Sequence, residues 1–227
     1  MAPLVLILGI AAAALVALFV LLDVQRTRAW KELAGVHGWQ YLARESGLGR
    51  FGRFRACRAG QDHRLQRRVF GPLEGARVDV AEIAHTERDL LLRPKQRSTV
   101  QTACLVEDPG LHLPAFFSRP RSPIDELGRL ANLQDIAFPE DPDFSAAMLV
   151  QGEEVDAIRA RFDGPSRAWL ARHAPERWSY EGVGDALLVV APRTLGEAEL
   201  KRLVGSALEL ARIFKSTPPQ QAQEKRP

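Results

Sequence analysis

An uninterrupted apolar run near the amino terminus constrains this chain more than any other feature. From Leu4 to Leu22 every residue is apolar or glycine, and no charged side chain occurs between Met1 and Asp23. A helix of about 19 residues rises about 1.5 Å per residue and just spans the ~30 Å hydrocarbon core of a bilayer. We therefore predict a transmembrane anchor over residues 1–23, followed by a water-soluble region.

Two other interpretations of this run are a cleaved signal peptide and a buried core helix. A signal peptide has a basic start and a small-x-small cleavage site. Here no Lys or Arg precedes the run, and it ends Phe19-Val20-Leu21-Leu22-Asp23 without such a site. A core helix is rarely apolar on all its faces over this length. The pattern therefore favours an uncleaved anchor.

The charges that flank the anchor predict its orientation. Before the run there is only the α-amino group, whereas Arg26, Arg28 and Lys31 follow it. Lys and Arg are retained on the cytoplasmic side of membranes. Arginine outnumbers lysine by 26 to 5, which with the alanine content is typical of GC-rich bacterial genomes. We expect a single-pass protein of a bacterial inner (cytoplasmic) membrane, with its amino terminus outside and its domain in the cytoplasm.

The net charge of +3 hides two halves of opposite sign. Residues 24–104 hold 16 Lys and Arg against 8 Asp and Glu, whereas residues 105–227 hold 15 against 19. The basic half therefore lies next to the anchor.

Eight arginines between residues 43 and 68 face only Glu45 and Asp62. We predict contact with anionic lipid headgroups, since each basic residue near a charged membrane surface adds about 1 kcal/mol. The alternative is a solvated flank without a ligand. Phe51, Phe54 and Phe70 interleave with these arginines, but no recognised nucleic-acid motif is present and we expect no such partner. The eight residues are Arg44, Arg50, Arg53, Arg55, Arg58, Arg64, Arg67 and Arg68.

A Gly-x-Gly-x-x-Gly pattern occurs at residues 47–52. A dinucleotide site also needs a preceding strand and a helix opening at the last glycine. The short segment before Gly60 is unsuited to such a helix, so we predict a flexible turn and no cofactor. No metal site is expected, because the histidines lack ligand spacing. Cys57 and Cys104 should be reduced thiols, with Cys104 in the core.

The remaining pattern predicts an α+β fold with a mostly antiparallel sheet. A juxtamembrane helix over 24–38 should end at Gly38, with Trp30 at the membrane interface and Trp39 and Tyr41 in the core. The soluble domain should cover 39–215, followed by a disordered tail at 216–227. Further predictions are a hairpin at 71–75, a strand over 99–106, an edge strand over 114–120, a helix from Ser122, a strand over 144–150, helices over 153–162 and 165–173, strands at 178–180 and 186–191, and an amphipathic C-terminal helix over 195–215 capped by Thr194 and Glu197.

Several of these segments together resemble a family of uncharacterised bacterial proteins with one N-terminal transmembrane helix and a soluble α+β domain. The matching pieces besides the anchor are Gly38-Trp39-x-Tyr41, Ser98-Thr99-Val100, Leu113-Pro114 and the Phe144 segment followed by Glu153-Glu154-Val155. They are structural in kind, and the resemblance implies no activity and no catalytic residues.

The sequence therefore supports two functional hypotheses. The first is a non-catalytic interaction or scaffold module, tethered to the membrane and serving a protein partner. The second is a membrane-bound enzyme whose site is not visible as a motif, because catalytic groups are assembled in space rather than in sequence. We favour the first, since no Gly-x-Ser-x-Gly, phosphate-binding loop or kinase signature occurs.

Overall fold

The computed structural model describes residues 2–88, 96–122 and 135–216. The helix predicted from Ser122 lies outside these residues beyond Ser122 itself. The tail predicted at 216–227 also lies outside them except for Ser216, which belongs to the last helix. One described helix is long and apolar enough to cross a membrane, over Ile10–His37. The helices are α1 (Ala2–His37), α2 (Pro142–Ala147), α3 (Val155–Arg161), α4 (Gly164–His173) and α5 (Glu197–Ser216), with short 3-10 helices at Gly49–Arg53, Arg55–Cys57 and Ala174–Glu176.

The described strands form one sheet in which every pairing is antiparallel. Its order is β1-β2-β3-β4-β8-β7-β5-β6. The sheet and its helices confirm the α+β prediction. The strands are β1 (Gln40–Ser46), β2 (Gln61–Leu73), β3 (Ala76–Arg88), β4 (Gln96–Glu107), β5 (Leu113–Pro120), β6 (Met148–Gln151), β7 (Ser179–Gly184) and β8 (Ala186–Ala191).

Helix α1 passes from the apolar run into the domain without a break. Its side chains are exposed from Ile10 to Gln25, and from Ala29 onward one face is buried against the sheet and α5. Trp30, which we predicted at the membrane interface, is only 1% exposed and belongs to the core. The prediction was wrong because its ring lies on the same helical face as Leu33 and Ala34. Gly38 ends the helix at φ +65°, as predicted.

The sheet is covered on both faces at its centre. On one face α1 and α5 pack over the main core, which includes Cys104 as predicted. On the other face a smaller second core contains Leu105 and Leu188. All six residues of β8 are buried, because a strand covered on both faces has no solvent side.

The second core is closed by the glycine-rich segment that we predicted to be a flexible turn. Phe51, Phe54 and Cys57 on this segment are fully buried. Its regular structure is two short 3-10 helices, and no α-helix opens after Gly52. The helix that a dinucleotide fingerprint requires is therefore not formed, and the segment is fixed by its aromatic side chains.

Strand β5 lies inside the sheet, between β7 and β6. We had predicted an edge strand because of its two prolines, and that prediction was wrong. Pro114 and Pro120 occur near the two ends of the strand. The pairing of β5 with β7 is irregular between Leu113 and Phe116. A proline at an irregularity or a strand end does not interrupt the ladder.

Two helix starts also differ from their predictions. The segment 144–150 begins as α2, because the Asp141 side chain accepts a hydrogen bond from the Phe144 N–H and Pro142 occupies the first turn. At α5, Glu199 rather than Glu197 closes the cap, accepting from the Gly196 N–H at 3.1 Å.

Candidate functional site

A β-bulge in β2 determines which of two consecutive arginines lies on each face of the sheet. The register with β3 shifts between Gln66 and Val69, and Arg67 has φ +46°. The extra residue reverses the alternation of the strand. Arg67 therefore shares a face with α1, and Arg68 lies on the other face.

Arg67 belongs to an ion-pair network that joins the sheet to α1. Its Nε donates to Glu82 at 2.7 Å and its Nη1 donates to Asp23 at 3.0 Å. Arg26 on α1 donates to the other oxygen of Glu82 at 2.5 Å. The Glu82 side chain is fully buried. Its negative charge is not solvated by water and is balanced instead by two guanidinium groups.

On the other face, Arg68 forms a bidentate pair with Asp79 at 2.8 and 2.5 Å. It also donates to Glu45 on β1. The hydrogen bonds to Asp79 raise the pKa of the Arg68 guanidinium above its usual value, against the opposing effect of burial. These contacts tie β1, β2 and β3 together.

Three further arginines bind the second half of the chain. Arg50 and Arg53 each pair with Glu107, at 2.7 and 2.8 Å. Arg55 donates to Gln151 at 3.2 Å, and its guanidinium lies 5.0 Å from the centre of the Phe117 ring. Basic side chains of residues 24–104 thus pair here with acidic side chains of residues 105–227.

The other three arginines of the predicted site are exposed. Arg44, Arg58 and Arg64 have no acidic partner among residues 2–88, 96–122 and 135–216. Arg58 donates to the Arg53 carbonyl at 3.3 Å. Of the eight predicted residues, five therefore pair with side chains of the domain, whereas these three are exposed and have no acidic partner in the described part of the chain.

Two contacts fix the direction of α1 along the sheet. Asp23 meets Arg67 in the middle of β2, whereas the Trp39 indole N–H donates to the Pro72 carbonyl at 3.0 Å near the end of that strand. Helix and strand therefore run in the same direction. The residues of β2 before Arg67, together with their partners on neighbouring strands, form the end of the sheet nearest the apolar half of α1. We call it the proximal end.

Arg44 and Arg64 both lie at the proximal end. Arg64 is paired with Ser46 across the β1–β2 ladder, and Arg44 is paired with Gln66. An arginine side chain at this position is long enough to reach along the surface toward the region where the apolar helix emerges.

A pocket of about 340 Å³ also opens at this end of the sheet, on the face opposite α1. Gln101 on its wall pairs with Ile83 of β3, and Ser179 pairs with Val190 at the end of β8. We call it the arginine pocket. Its lining residues are Ala56, Gln101, Phe117, Arg119, Pro120, Arg121, Ser122, Arg177, Ser179, Val190 and Pro192.

The described lining of the arginine pocket includes three arginines, of which Arg121 pairs with Asp135. Within the part of the chain that the structure describes, no Asp, Glu, His or Cys lines the pocket, so these residues offer hydrogen-bond donors rather than a general base. Sequence reasoning missed it because its residues range from Ala56 to Pro192. The local signal that could have found it is Arg119-Pro120-Arg121, two guanidinium groups on either side of a proline.

The two cysteines are structural. Both are buried and free, and burial raises the pKa of Cys57 to about 12 and that of Cys104 further. In the described parts of the chain, no three His, Cys, Asp or Glu side chains are grouped to hold a metal ion.

Comparisons with known proteins identify a solved structure with a similar fold. No family model and no curated protein sequence matches the chain. The crystal structure of the mycobacterial trehalose monomycolate transport factor A, TtfA, is similar to it with a TM-score of 0.58 and 16% identity, over 86% of this chain and 97% of that one. The two proteins share a fold. The resemblance to the uncharacterised bacterial family remains a prediction.

Proposed function

We propose that this protein is a membrane-tethered, non-catalytic interaction module that holds a partner protein at a fixed position beside the inner membrane. Its amino terminus lies outside and its sheet domain in the cytoplasm. The observation that carries the proposal is the continuity of α1 with the domain core. A tether used only for retention needs no packing, whereas here the buried Glu82 binds the helix to the sheet through Arg26.

The fold of TtfA supports this proposal. TtfA is described as a trehalose monomycolate transport factor, and a transport-associated role can be filled by a binding surface without a catalytic centre. We extend to this chain only the role of an accessory module. Its partner would then be another protein of the same membrane.

We further propose that the exposed arginines at the proximal end touch anionic headgroups. The tether brings them within reach of the leaflet, so their effective concentration there is high and weak attraction is sufficient. Arg44 and Arg64 carry this contact in our proposal, and Arg58 is a further exposed arginine that could join it. The five internally paired arginines stabilise the domain that presents them.

The headgroup contact can be tested on the full chain in nanodiscs. A dye attached at Ser46→Cys is selective, because Cys57 and Cys104 are fully buried. We expect brominated lipid to quench the dye in anionic discs, with salt reversing the effect. Arg44→Gln with Arg64→Gln should weaken quenching, whereas Arg172→Gln, an exposed arginine on α4, should not. Equal quenching in neutral and anionic discs would contradict the contact.

Topology and partner need separate experiments. Protease added to intact spheroplasts should leave the domain undigested, and cleavage there would refute a cytoplasmic domain. Crosslinking in intact cells followed by detergent extraction should recover a defined membrane protein with the wild-type chain. Loss of that product in Glu82→Gln, with the protein level unchanged, would link partner binding to the fixed pose.

A further inference from the structure

Strand β1 stands at one end of the sheet, and its outer edge is open. It pairs with β2 on one side, and no other strand in the described parts of the chain lies beside it. Five of its seven residues are exposed and the other two are half-buried. In an antiparallel ladder, alternate residues direct their N–H and C=O groups away from the neighbouring strand. About six backbone groups of β1 therefore face solvent along one line.

The opposite end of the sheet is closed. Strand β6 has only four residues, and all of them are buried. The Val150 carbonyl accepts a hydrogen bond from the Ile136 N–H at 2.8 Å, so the chain around Ile136 covers the outer edge of β6. An open edge is thus a property of β1 and not of both ends of the sheet.

Strand β1 lacks most of the features that keep edge strands from pairing with other chains. Natural edges are blocked by proline, lysine, a bulge or a covering segment. β1 contains neither Pro nor Lys, and the bulge described above lies in β2. Its register with β2 is continuous from Gln40 to Ser46, and its apolar Leu42 is exposed. An edge of this kind is suited to accept an extended strand from another chain.

The charges on β1 restrict which strand can pair with it. Glu45 is already bound to Arg68 of β2. Arg44 is exposed and has no acidic partner in the parts of the chain that the structure describes. Opposite charges that face each other across two strands stabilise the pairing, whereas like charges oppose it. The incoming strand should therefore carry Asp or Glu opposite Arg44 and an apolar residue opposite Leu42.

The tether fixes the direction of the incoming strand. β1 runs antiparallel to β2 and ends at Ser46, which is paired with Arg64 at the proximal end. It therefore runs toward the apolar half of α1. A strand added in the more stable antiparallel arrangement starts at the proximal end and runs away from it. For a domain in the cytoplasm, this is the path of a chain that has just left a transmembrane helix.

The same direction argues against a second copy of this chain as the occupant of the edge. Two copies whose apolar helices share one membrane have their β1 strands pointing the same way, toward the bilayer. Antiparallel pairing of the two strands would place the two apolar helices at opposite ends of the pair. Parallel pairing is less stable per residue.

We propose that the open edge of β1 binds an extended cytoplasmic segment of a membrane protein, directly after a transmembrane helix of that protein. The segment pairs antiparallel to β1, with an acidic residue opposite Arg44 and, two residues later, an apolar residue opposite Leu42. This inference rests on the proposed function and names the surface and the partner chemistry of that role. When the partner is bound, its acidic residue replaces the headgroup contact of Arg44.

The test uses the full chain in nanodiscs of neutral lipid, which exclude the headgroup contact. The probe is a synthetic peptide with a leucine-rich transmembrane helix followed by seven residues of alternating threonine and valine, in which glutamate replaces the valine opposite Arg44. Confinement to one disc makes the effective concentration high. We expect the probe to slow hydrogen exchange of amides in residues 40–46 about tenfold or more, because these groups enter a ladder.

Two matched probes isolate the backbone contribution without any change in the protein. Each is N-methylated on one of the two sets of alternate residues in the extended segment, so that those residues cannot donate a hydrogen bond. Only one set faces β1 in a ladder. One of these probes should therefore lose the protection of residues 40–46, and the other should retain it.

A charge exchange tests the register. Arg44→Glu should reduce the protection by the glutamate probe about fivefold, and a probe with lysine in place of glutamate should restore it. Arg44 is exposed, so the variant should unfold at the same temperature as the wild type. The control Arg172→Glu, an exposed arginine on α4, should respond to both probes like the wild type.

Three results would overturn the proposal. The first is no protection by the glutamate probe, and the second is equal protection by the two N-methylated probes or by both charge pairings. The third is protection that appears at high density of this chain without any probe, which would assign the edge to a second copy. If crosslinking in cells still recovers a membrane protein in any of these cases, the interaction role stands and its surface lies elsewhere.

Discussion

Glu82 on β3 accepts a hydrogen bond from Arg26 on α1 at 2.5 Å, with its side chain fully buried. Its second oxygen accepts from Arg67 at 2.7 Å. One carboxylate therefore connects the helix that enters the domain, the bulge in β2 and the middle of the sheet. A buried charge is tolerated only while its partners remain, so these three elements are coupled energetically.

Glu82→Gln should lower the free energy of unfolding by about 3 kcal/mol. The neutral amide removes the counter-charge of Arg26, leaves Arg67 with Asp23 alone, and directs an N–H₂ toward one of the two guanidinium groups. Hydrogen exchange should accelerate in residues 26–37. The control is Glu32→Gln, which removes an exposed pair with Lys201 at 3.3 Å and should cost less than about 1 kcal/mol. Equal effects of the two changes would contradict the coupling.

Gly71→Ala and Gly205→Ala should change stability in opposite directions. A Cβ at Gly71 would lie 2.2 Å from Cδ1 of Trp39, whereas one at Gly205 on α5 meets nothing within 4 Å. The first change must displace a buried indole and should cost about 1–3 kcal/mol or more. The second should add about 0.5–1 kcal/mol, as alanine does in a helix interior. Thermal unfolding monitored by tryptophan fluorescence measures both, and a stable Gly71→Ala would show that Trp39 is not fixed there.

Leu203→Ala on α5 should lower the free energy of unfolding by about 2–5 kcal/mol, because Leu203 is fully buried in the main core. Val36→Ala on α1 is the comparison, since Val36 is 69% exposed. We expect that change to stay within about 0.5 kcal/mol. Denaturant titrations should show the difference as a shift in midpoint. A small effect at Leu203 would mean that α5 is not packed on the sheet.

The cap of α5 should make part of the stability depend on pH. Hydrogen bonds from Arg193, then from the Gly196 N–H, lower the pKa of Glu199 to about 2. A carboxylate with a lowered pKa stabilises the fold above its unfolded pKa, and this contribution disappears as the pH falls toward about 2. Because the side chain is about one-third exposed, we expect only about 1 kcal/mol.

This pH dependence can be tested by measuring the free energy of unfolding of Glu199→Ala from pH 7 downward. Its deficit relative to the wild type should be constant near neutrality and should shrink below about pH 4.5. The control Glu209→Ala is on the exposed face of the same helix and should change stability by less than about 0.5 kcal/mol throughout. A deficit that persists at the lowest pH would attribute the effect to packing instead.

Local periodicity made much of this fold predictable. Leu200, Leu203 and Val204 recur at helical spacing, and α5 buries that face. The alternation of Thr102, Cys104 and Val106 correctly predicted β4. In both cases the residues that share a face are near neighbours in the chain, so the pattern could be found without the partner that covers it.

The second core could not be predicted, because its partners are distant in sequence. Phe51 and Phe54 stand among arginines, and nothing nearby indicates that Leu188 would cover them. The same holds for the arginines themselves. Sequence shows an excess of positive charge, but whether Arg53 faces lipid or Glu107 depends on how β4 is placed beside the 3-10 segment.

The unbroken passage of α1 into the core makes the domain a lever. If α1 crosses a bilayer, no hinge separates the residues within it from those that hold the sheet. The stretch from Asp23 to His37 is about 20 Å long, so a change in tilt of about 20° would carry its end roughly 7 Å sideways. A neighbour that reoriented the helix within the bilayer would thereby move the arginine pocket and the exposed edge of β1 together beside the membrane. A change in the thickness or crowding of the membrane would then appear as a change in the position of the domain.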